Sequence, residues 1–289
     1  VYVVESPSVI PFPIIDYDEA KGADGWSYGG GISMLNFRGL NEKLSLGSAF
    51  GANKFYFLKF SDPWIAGDHI SINGNLGNFL LPNAVYDYNL RKKYLNVEFG
   101  FYKNLIHKFR FEGGYENINL TTRENSENIE PTPESELNSY NILFVAAKYT
   151  IDTRDVYKDP TLGILYYNEL TYVRGIKNSP SLWEYNFLLK KYYLQKNWIL
   201  DPVFIFSFHG KLNFVEDLPI FKRIYLGGEG LVRGYSPIPT ENPVQTAEKI
   251  EVEDFLFQSI QLQFTLLRRK DFGRIEFGID GLILRISRM

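Results

Sequence analysis

Along most of this chain apolar and polar residues alternate with a period of two, in segments of about ten residues, the length that a tilted strand needs to cross a bilayer. In Tyr94 to Phe101, Leu95, Val97, Phe99 and Phe101 share one face, and Asn96, Glu98 and Gly100 the other. The following segment sets Phe109, Phe111 and Tyr115 against Lys108, Arg110, Glu112 and Gly114, and the two pair as a hairpin through Lys103-Asn104-Leu105. Trp26, Tyr28, Ile32 and Met34 oppose Ser27, Gly29, Gly31 and Ser33. Ile260, Leu262, Phe264 and Leu266 oppose Ser259, Gln261, Gln263 and Thr265, and Ile275, Phe277 and Ile279 oppose Arg274, Glu276, Gly278 and Asp280.

A half-buried soluble sheet also alternates. Here, however, the apolar faces are large and aromatic, and the other faces carry full charges and glycines where a small soluble barrel places its core. Aromatic residues make up 16% of the chain. The predicted fold class is therefore all-β, a transmembrane antiparallel up-and-down β-barrel with lipid outside and a wet interior. No run reaches the eighteen or so apolar residues of a spanning helix, and a closed barrel needs none.

The alternation predicts strands over 9–16, 25–36, 43–51, 54–62, 68–80, 92–103, 107–120, 139–151, 163–174, 182–195, 199–212, 252–267 and 272–285. Two long connections separate them, 121–138 and 213–251; in such barrels long loops are extracellular and short turns periplasmic. That makes about thirteen strands, whereas bacterial single-chain barrels have even numbers. The reading is of a barrel over 9–289 that is incomplete at its carboxyl end.

A net charge of −3 and a pI near 5.8, with Lys and Arg scattered, argue against a nucleic-acid partner. Without cysteine there are no disulfides or thiolate metal sites. His69, His107 and His209 stand far apart, no G-x-S-x-G elbow occurs, and Gly228-Glu229-Gly230 opens neither a Rossmann helix nor a Walker lysine sequence. Inward Glu98, Glu112, Glu276 and Asp280 are matched by Lys108, Arg110 and Arg274, which suits a solvated charged lumen better than an acid pair. The expectation is of no catalytic residues, no metal and no cofactor.

One loop is unlike a routine connection. Ile224-Tyr225-Leu226-Gly227-Gly228-Glu229-Gly230-Leu231-Val232-Arg233-Gly234-Tyr235 concentrates four glycines near one permanent cation, a backbone able to fold tightly around a delivered charge. This stretch resembles the signature of the BamA/TamA-type superfamily of outer-membrane assembly factors and two-partner-secretion transporters, the bacterial surface antigen barrel domain. The matching positions are Gly227, Gly228, Val232, Arg233, Gly234 and Tyr235. The resemblance implies that loop 213–251 folds back into the lumen, with Arg233 against an acidic motif on the inner wall. Phe277, Gly278, Asp280 and Gly281 resemble that motif, although the last glycine comes one position early and Leu282 stands in its usual place. Asp152-Thr153-Arg154-Asp155 with Asp159-Pro160 and Gly163, together with Leu40-Asn41-Glu42-Lys43-Leu44 and Phe60-Ser61-Asp62-Pro63-Trp64, are similar to shorter family motifs.

The resemblance also implies that residues 1–8 end a preceding POTRA domain, a periplasmic module, and that the whole barrel has sixteen strands. It implies a bacterial outer-membrane location, and as partners outer-membrane lipids, unfolded client proteins, and periplasmic or lipoprotein accessory subunits. The function implied is insertion of client β-barrels by strand templating. Alternatives left open are polypeptide transport of the two-partner type, a passive porin-like barrel, and an outer-membrane enzyme.

Overall fold

The computed structural model describes residues 8–17, 25–67, 69–82, 86–122, 132–157, 159–177, 179–196, 201–225, 251–252, 255–264 and 275–284; for 81–82 and from 224 onward it describes backbone alone. Strands β1 (Val9–Tyr17), β2 (Trp26–Phe37), β3 (Glu42–Gly51), β4 (Phe55–Asp62), β5 (Ile70–Pro82) and β6 (Tyr88–Lys103) follow one another. Then come β7 (His107–Thr122), β8 (Ser139–Asp152), β9 (Gly163–Ile176), β10 (Leu182–Leu194) and β11 (Val203–Phe214). Two short strands, β12 (Ile224–Tyr225) and β13 (Glu251–Val252), precede β14 (Phe255–Phe264) and β15 (Ile275–Leu284). One thirteen-stranded sheet runs in chain order from β1 to β11 and on to β14 and β15, while β12 pairs only with β13.

The thirteen alternating segments are thus the thirteen strands of this sheet, an antiparallel meander consistent with an incomplete β-barrel. Ends differ locally. β6 starts at Tyr88, inside a stretch, Asn89-Leu90-Arg91-Lys92, that does not alternate cleanly, and β11 starts at Val203, directly after Pro202. The β6–β7 turn has both Asn104 (φ 54°) and Leu105 (φ 58°) in the left-handed region, as a tight hairpin requires, although a bulky Leu rarely adopts it. Among the described residues no helix is long and apolar enough to cross a membrane, which does not bear on crossing by strands.

The chain forms two compact units, the first made of Val1–Phe101, Arg110–Val145 and Val173–Ser181. Within it the register shows how alternation becomes a surface. Ile32 pairs with Leu46, Leu46 with Leu58, Leu58 with Leu76, and Leu76 with Leu95, one unbroken apolar row across five strands. Each of these side chains is 38% to 51% exposed, an arrangement that water would penalise and lipid would not.

The opposite face is not simply wet, which corrects the plainest form of the sequence reading. Phe12, Phe57 and Tyr94 sit directly across from Gly31, Gly47 and Gly77, and a Cβ on any of these glycines would fall 2.4 to 2.8 Å from the facing ring. The rings lie over the glycines, so small residues make room for large ones along the inner wall. Beside them runs a polar network. Asn73 donates to Glu98 at 3.2 Å, Arg110 stands 3.9 Å from Glu98, and Asn96 donates to Glu112.

The second unit comprises Tyr102–Phe109, Ala146–Tyr172 and Leu182–Met289. On β10 and β11, Trp183, Leu189, Tyr193, Phe206 and Phe208 are exposed, while the alternate positions face the other way. There one end is apolar, with Tyr192, Val203 and Ile205 buried against Leu194, and the other end is charged.

The exposed row yields a direct test. Leu58→Arg is expected to destabilise the folded protein in liposomes by about 2–4 kcal/mol if that row lies near the bilayer midplane, and less toward the interfaces. Asn75→Arg, on the opposite face of the neighbouring strand, is expected to cost less than about 1 kcal/mol. Urea unfolding of both variants measures the difference.

Candidate functional site

The candidate site is built around the connection between β11 and β14, which begins after Phe214 rather than at 213. Its first residues fold onto the protein instead of extending away. Leu218 and Ile220 are almost completely buried, a single 3₁₀ turn covers Ile220–Lys222, and the Lys222 amide donates to the Pro219 carbonyl at 2.8 Å. The Lys222 ammonium donates to the Glu184 carboxylate at 2.6 Å, and Arg223 Nε donates to the Leu218 carbonyl at 3.3 Å. Glu184 pairs in register with the buried Asn213 and shares a face of β10 with Asn186, whose side chain meets His209 Nε2 at 3.2 Å. The stem of the loop is therefore pinned to the face opposite Trp183, Phe206 and Phe208.

This pin belongs to a group of charges. Lys211 lies in the fields of Glu184, Lys222 and Glu169, and Lys148 stands 3.9 Å from Glu169. A few residues on, Ile224 pairs with Val252 and Tyr225 with Glu251. The β12–β13 ribbon brings together the two ends of the segment that carries the glycine-rich motif. Gly227, Gly228, Val232, Arg233, Gly234 and Tyr235 themselves lie outside the described residues.

Phe277, Gly278, Asp280 and Gly281 all lie on β15. Asp280 pairs with Ser259, Ser259 with Ser207, and Ser207 with Lys190, so Asp280 occupies a register row shared by the buried Ser207 on β11. The register of β14 against β15 slips at one point: Phe257 pairs with Ile283 and Gln258 with Gly281, leaving Leu282 without a counterpart. This is a bulge, one extra residue entering β15 just after Gly281.

The Asp152–Gly163 segment is a hairpin clamp, and its motif residues are explained one by one. Arg154 grips Asp152 with Nε and Nη2, each at 2.8 Å, and its guanidinium lies 4.8 Å from the centre of the Tyr157 ring. The Asp155 carboxylate accepts from the Thr161 amide at 2.8 Å, the Thr161 hydroxyl at 2.5 Å and the Leu162 amide at 3.1 Å. Partial burial raises the Asp155 pKa, but these donors outweigh it and bring the group down to about 2. Gly163 has φ +108°, and a Cβ there would meet the Thr153 carbonyl oxygen at 2.3 Å, so glycine is required. A cavity of about 390 Å³ beside this clamp is lined by Leu105, Ile106, Asp152, Thr153, Arg154 and Tyr157. Its cation is already engaged by Asp152 and by the Tyr157 carbonyl, which leaves it a structural part of the turn.

The other short motif is also a turn. Arg38 (φ 57°), Gly39 (φ 76°) and Asn41 (φ 60°) curl the β2–β3 connection, and Arg38 holds the fully buried Glu42 through two hydrogen bonds. His107 Nδ1 meets the Tyr149 hydroxyl at 2.8 Å, which accounts for it as a strand residue. Among the described residues no three His, Cys, Asp or Glu side chains are grouped to hold a metal. The Lys222–Glu184 pin was not evident from sequence, because nothing local links two residues on separate elements.

A meander of long strands with one apolar and one largely polar face, interrupted before its last hairpin by a pinned and ribbon-closed loop, defines a sheet of the outer-membrane barrel class. The chain belongs to the Omp85 superfamily, whose domain matches residues 36–277. Its fold is similar to that of BamA from Haemophilus ducreyi lacking POTRA domains 1–3, with 14% identity, a TM-score of 0.66, and coverage of 92% of this chain and 55% of that one. It is also similar to CdiB from Escherichia coli (13% identity, TM-score 0.58, 95% of this chain and 51% of that one). CdiB from Acinetobacter baumannii matches at 13% identity with a TM-score of 0.55, over 92% of this chain and 48% of that one. The chain thus spans about half the length of these structures. No curated protein matches it. Membership in the superfamily places this chain among outer-membrane proteins.

Two experiments follow from the geometry. In Ile220→Cys, the thiol is expected to react slowly with a membrane-impermeant maleimide, and at least several-fold faster when Lys222→Glu is added. The exchange Glu184→Lys with Lys222→Glu is expected to restore slow labelling. Asp155→Asn is expected to lower stability at neutral pH by about 1 kcal/mol or less, since the group is solvent-exposed. Because the folded pKa is depressed below the ordinary 3.8, that contribution is present above pH 3.8 and lost as pH falls toward 2. Thermal unfolding of both proteins from pH 7 to pH 2 is expected to show the gap closing at the acid end.

Proposed function

We propose that this chain is the barrel portion of an outer-membrane assembly factor, which templates the folding of client β-barrels into the bilayer. The observation that carries the reading is the pinned stem of the β11–β14 connection. It fixes the start of the motif-bearing segment on the inner face, where a loop that controls the lumen has to begin.

Chain length is compatible with the rest. From Asn213, level with the pin, to Ser207, in the row of Asp280, β11 runs about 20 Å at strand rise. From Tyr225 to Arg233 the chain spans up to about 26–29 Å when extended. The Arg233 guanidinium is thereby long enough in reach to meet Asp280, the contact that the family motif implies. As a partly enclosed ion pair it would contribute about 1 kcal/mol or more, and its role is to hold the loop in one place.

In this reading the barrel closes with strands beyond the thirteen of the sheet. Its partners are outer-membrane lipids, unfolded client proteins, and periplasmic or lipoprotein subunits that deliver them. The polar inner network around Glu98, Arg110 and Glu112 favours a second reading, a transporter of the two-partner type whose lumen conducts an unfolded polypeptide.

The test is reconstitution. Full-length protein in liposomes is expected to accelerate insertion of a urea-unfolded outer-membrane barrel, and Arg233→Ala to leave the protein folded while slowing insertion about five-fold or more. Equal insertion by the variant would remove Arg233 from the mechanism. Steady passage of an unfolded polypeptide without barrel insertion would favour the transporter.

A further inference from the structure

The exposed face of β6 changes character partway along the strand. Leu95, Val97, Phe99 and Phe101 are exposed, and the next two positions on the same face, Lys93 and Arg91, are exposed too. Between these cations Lys92 turns to the other face, where it meets Glu116 at 2.5 Å. Arg91 and Lys93 have no carboxylate partner among the described residues. Nor has Lys54, the exposed residue just before β4: its carbonyl accepts from the Leu80 amide at 3.1 Å, and Leu80 pairs with Arg91.

Register sets the height of this group. Lys93 pairs with Asn78 and Asn78 with Tyr56, in a row one step above Leu58, Leu76 and Leu95. Lys92 facing Glu116 and Asn96 facing Glu112 align β6 with β7, so Tyr115 stands beside Lys93. Tyr56 and Tyr115, both exposed, flank the cation, as aromatic residues do where the apolar band of a barrel ends. Strand rise agrees. From Phe101 to Lys93 the strand runs about 27 Å, which a tilt of 35–45° reduces to about 20 Å, most of the roughly 25 Å height of such a band. The end in question is the one from which the long β7–β8 connection leaves, the extracellular side in such barrels.

Two cations at successive outward positions, about 7 Å apart along the strand, repel each other unless an anion lies between them. Lys54 joins them from two strands away, about 10 Å at ordinary strand spacing. Their neighbours in the two rows, Tyr56, Asn78, Leu80 and Tyr115, are neutral, so this surface does not itself supply the anion. Deep in hydrocarbon the group would be costly, whereas at the boundary long basic side chains reach the headgroups. There Arg presents a fork that fits phosphate oxygens in pairs, and Lys a point charge. The leucine row directly below offers a surface to the acyl chains of the same molecule, which favours a lipid phosphate over a free one.

We infer that Lys54, Arg91 and Lys93 form a site on the outward face of the sheet for the phosphate of a membrane lipid headgroup. A lipid held there fixes the level at which β4, β5 and β6 cross the bilayer. The inference rests on the proposal that outer-membrane lipids are partners, and it adds their chemistry and the strands that they touch.

The experiment uses the full-length protein in detergent micelles, diphosphoryl lipid A as the probe, and native mass spectrometry to count retained lipid. Wild type is expected to retain it, and Arg91→Gln with Lys93→Gln to bind it about ten-fold more weakly. Lys92→Gln, which alters the opposite face, is expected to stay within about two-fold of wild type, as is the charge-keeping exchange Arg91→Lys with Lys93→Arg. Equal binding by the double Gln variant would overturn the inference, as would equal retention of lipid A stripped of its phosphates. Displacement of the lipid by an equal concentration of inorganic phosphate would show an ion site without lipid specificity and would overturn it too. A nitroxide at Leu95 in liposomes judges the face separately. Relaxation by oxygen without phosphate-dependent binding removes the site alone, whereas relaxation by a nickel chelate removes the lipid-facing reading on which it rests.

Discussion

In the hydrocarbon of a bilayer no water is available to bond an unpaired backbone amide, and every other feature of this protein is arranged around that fact. A meander satisfies the requirement strand by strand, since each strand borrows its partners from the next. It also requires alternation, because one face of every strand must be at home in lipid. The apolar row from Ile32 to Leu95 is the visible consequence, each member placed by hydrogen-bond register rather than by contact with a core.

The inner face solves a different problem. Water and charge are tolerated there, so stability does not depend on a dry centre, and packing is achieved locally between strand neighbours. Phe12 over Gly31, Phe57 over Gly47 and Tyr94 over Gly77 are three instances of one device. Each glycine would weaken a strand by itself, and the ring from the neighbouring strand covers the exposed backbone and fixes the pairing. Elsewhere charges are matched, across strands for Arg110 with Glu98 and from the loop stem for Lys222 with Glu184.

Much of this was legible in the sequence, because a period of two is a property of backbone geometry and survives in any strand with two different environments. Thirteen segments were readable for this reason, and errors collected at ends such as Tyr88 and Val203, where polar residues or a proline interrupt the pattern. The β12–β13 ribbon was not readable, since two residues carry no period. Nor was the Lys222–Glu184 pin, which joins residues 38 positions apart through side chains alone. The glycine-rich loop showed the opposite behaviour: its composition marked it out plainly, but composition does not say which wall it meets. Alternation assigns Asp280 to the polar face; the backbone register gives only its row, with Ser259, Ser207 and Lys190. The slip of register beside Leu282 carries no sequence period and could not be read in advance.

The division of faces is tested most directly by nitroxide accessibility in liposomes, with labels placed singly at Leu46, Leu58, Leu76 and Leu95 and at Asn75, Asn96 and Glu112. Lipid-soluble oxygen is expected to relax the four leucine positions, and a water-soluble nickel chelate the other three. Equal response to the nickel reagent at both sets, or oxygen-dominated relaxation at Asn75, Asn96 and Glu112, would contradict an outer surface in lipid around a wet interior.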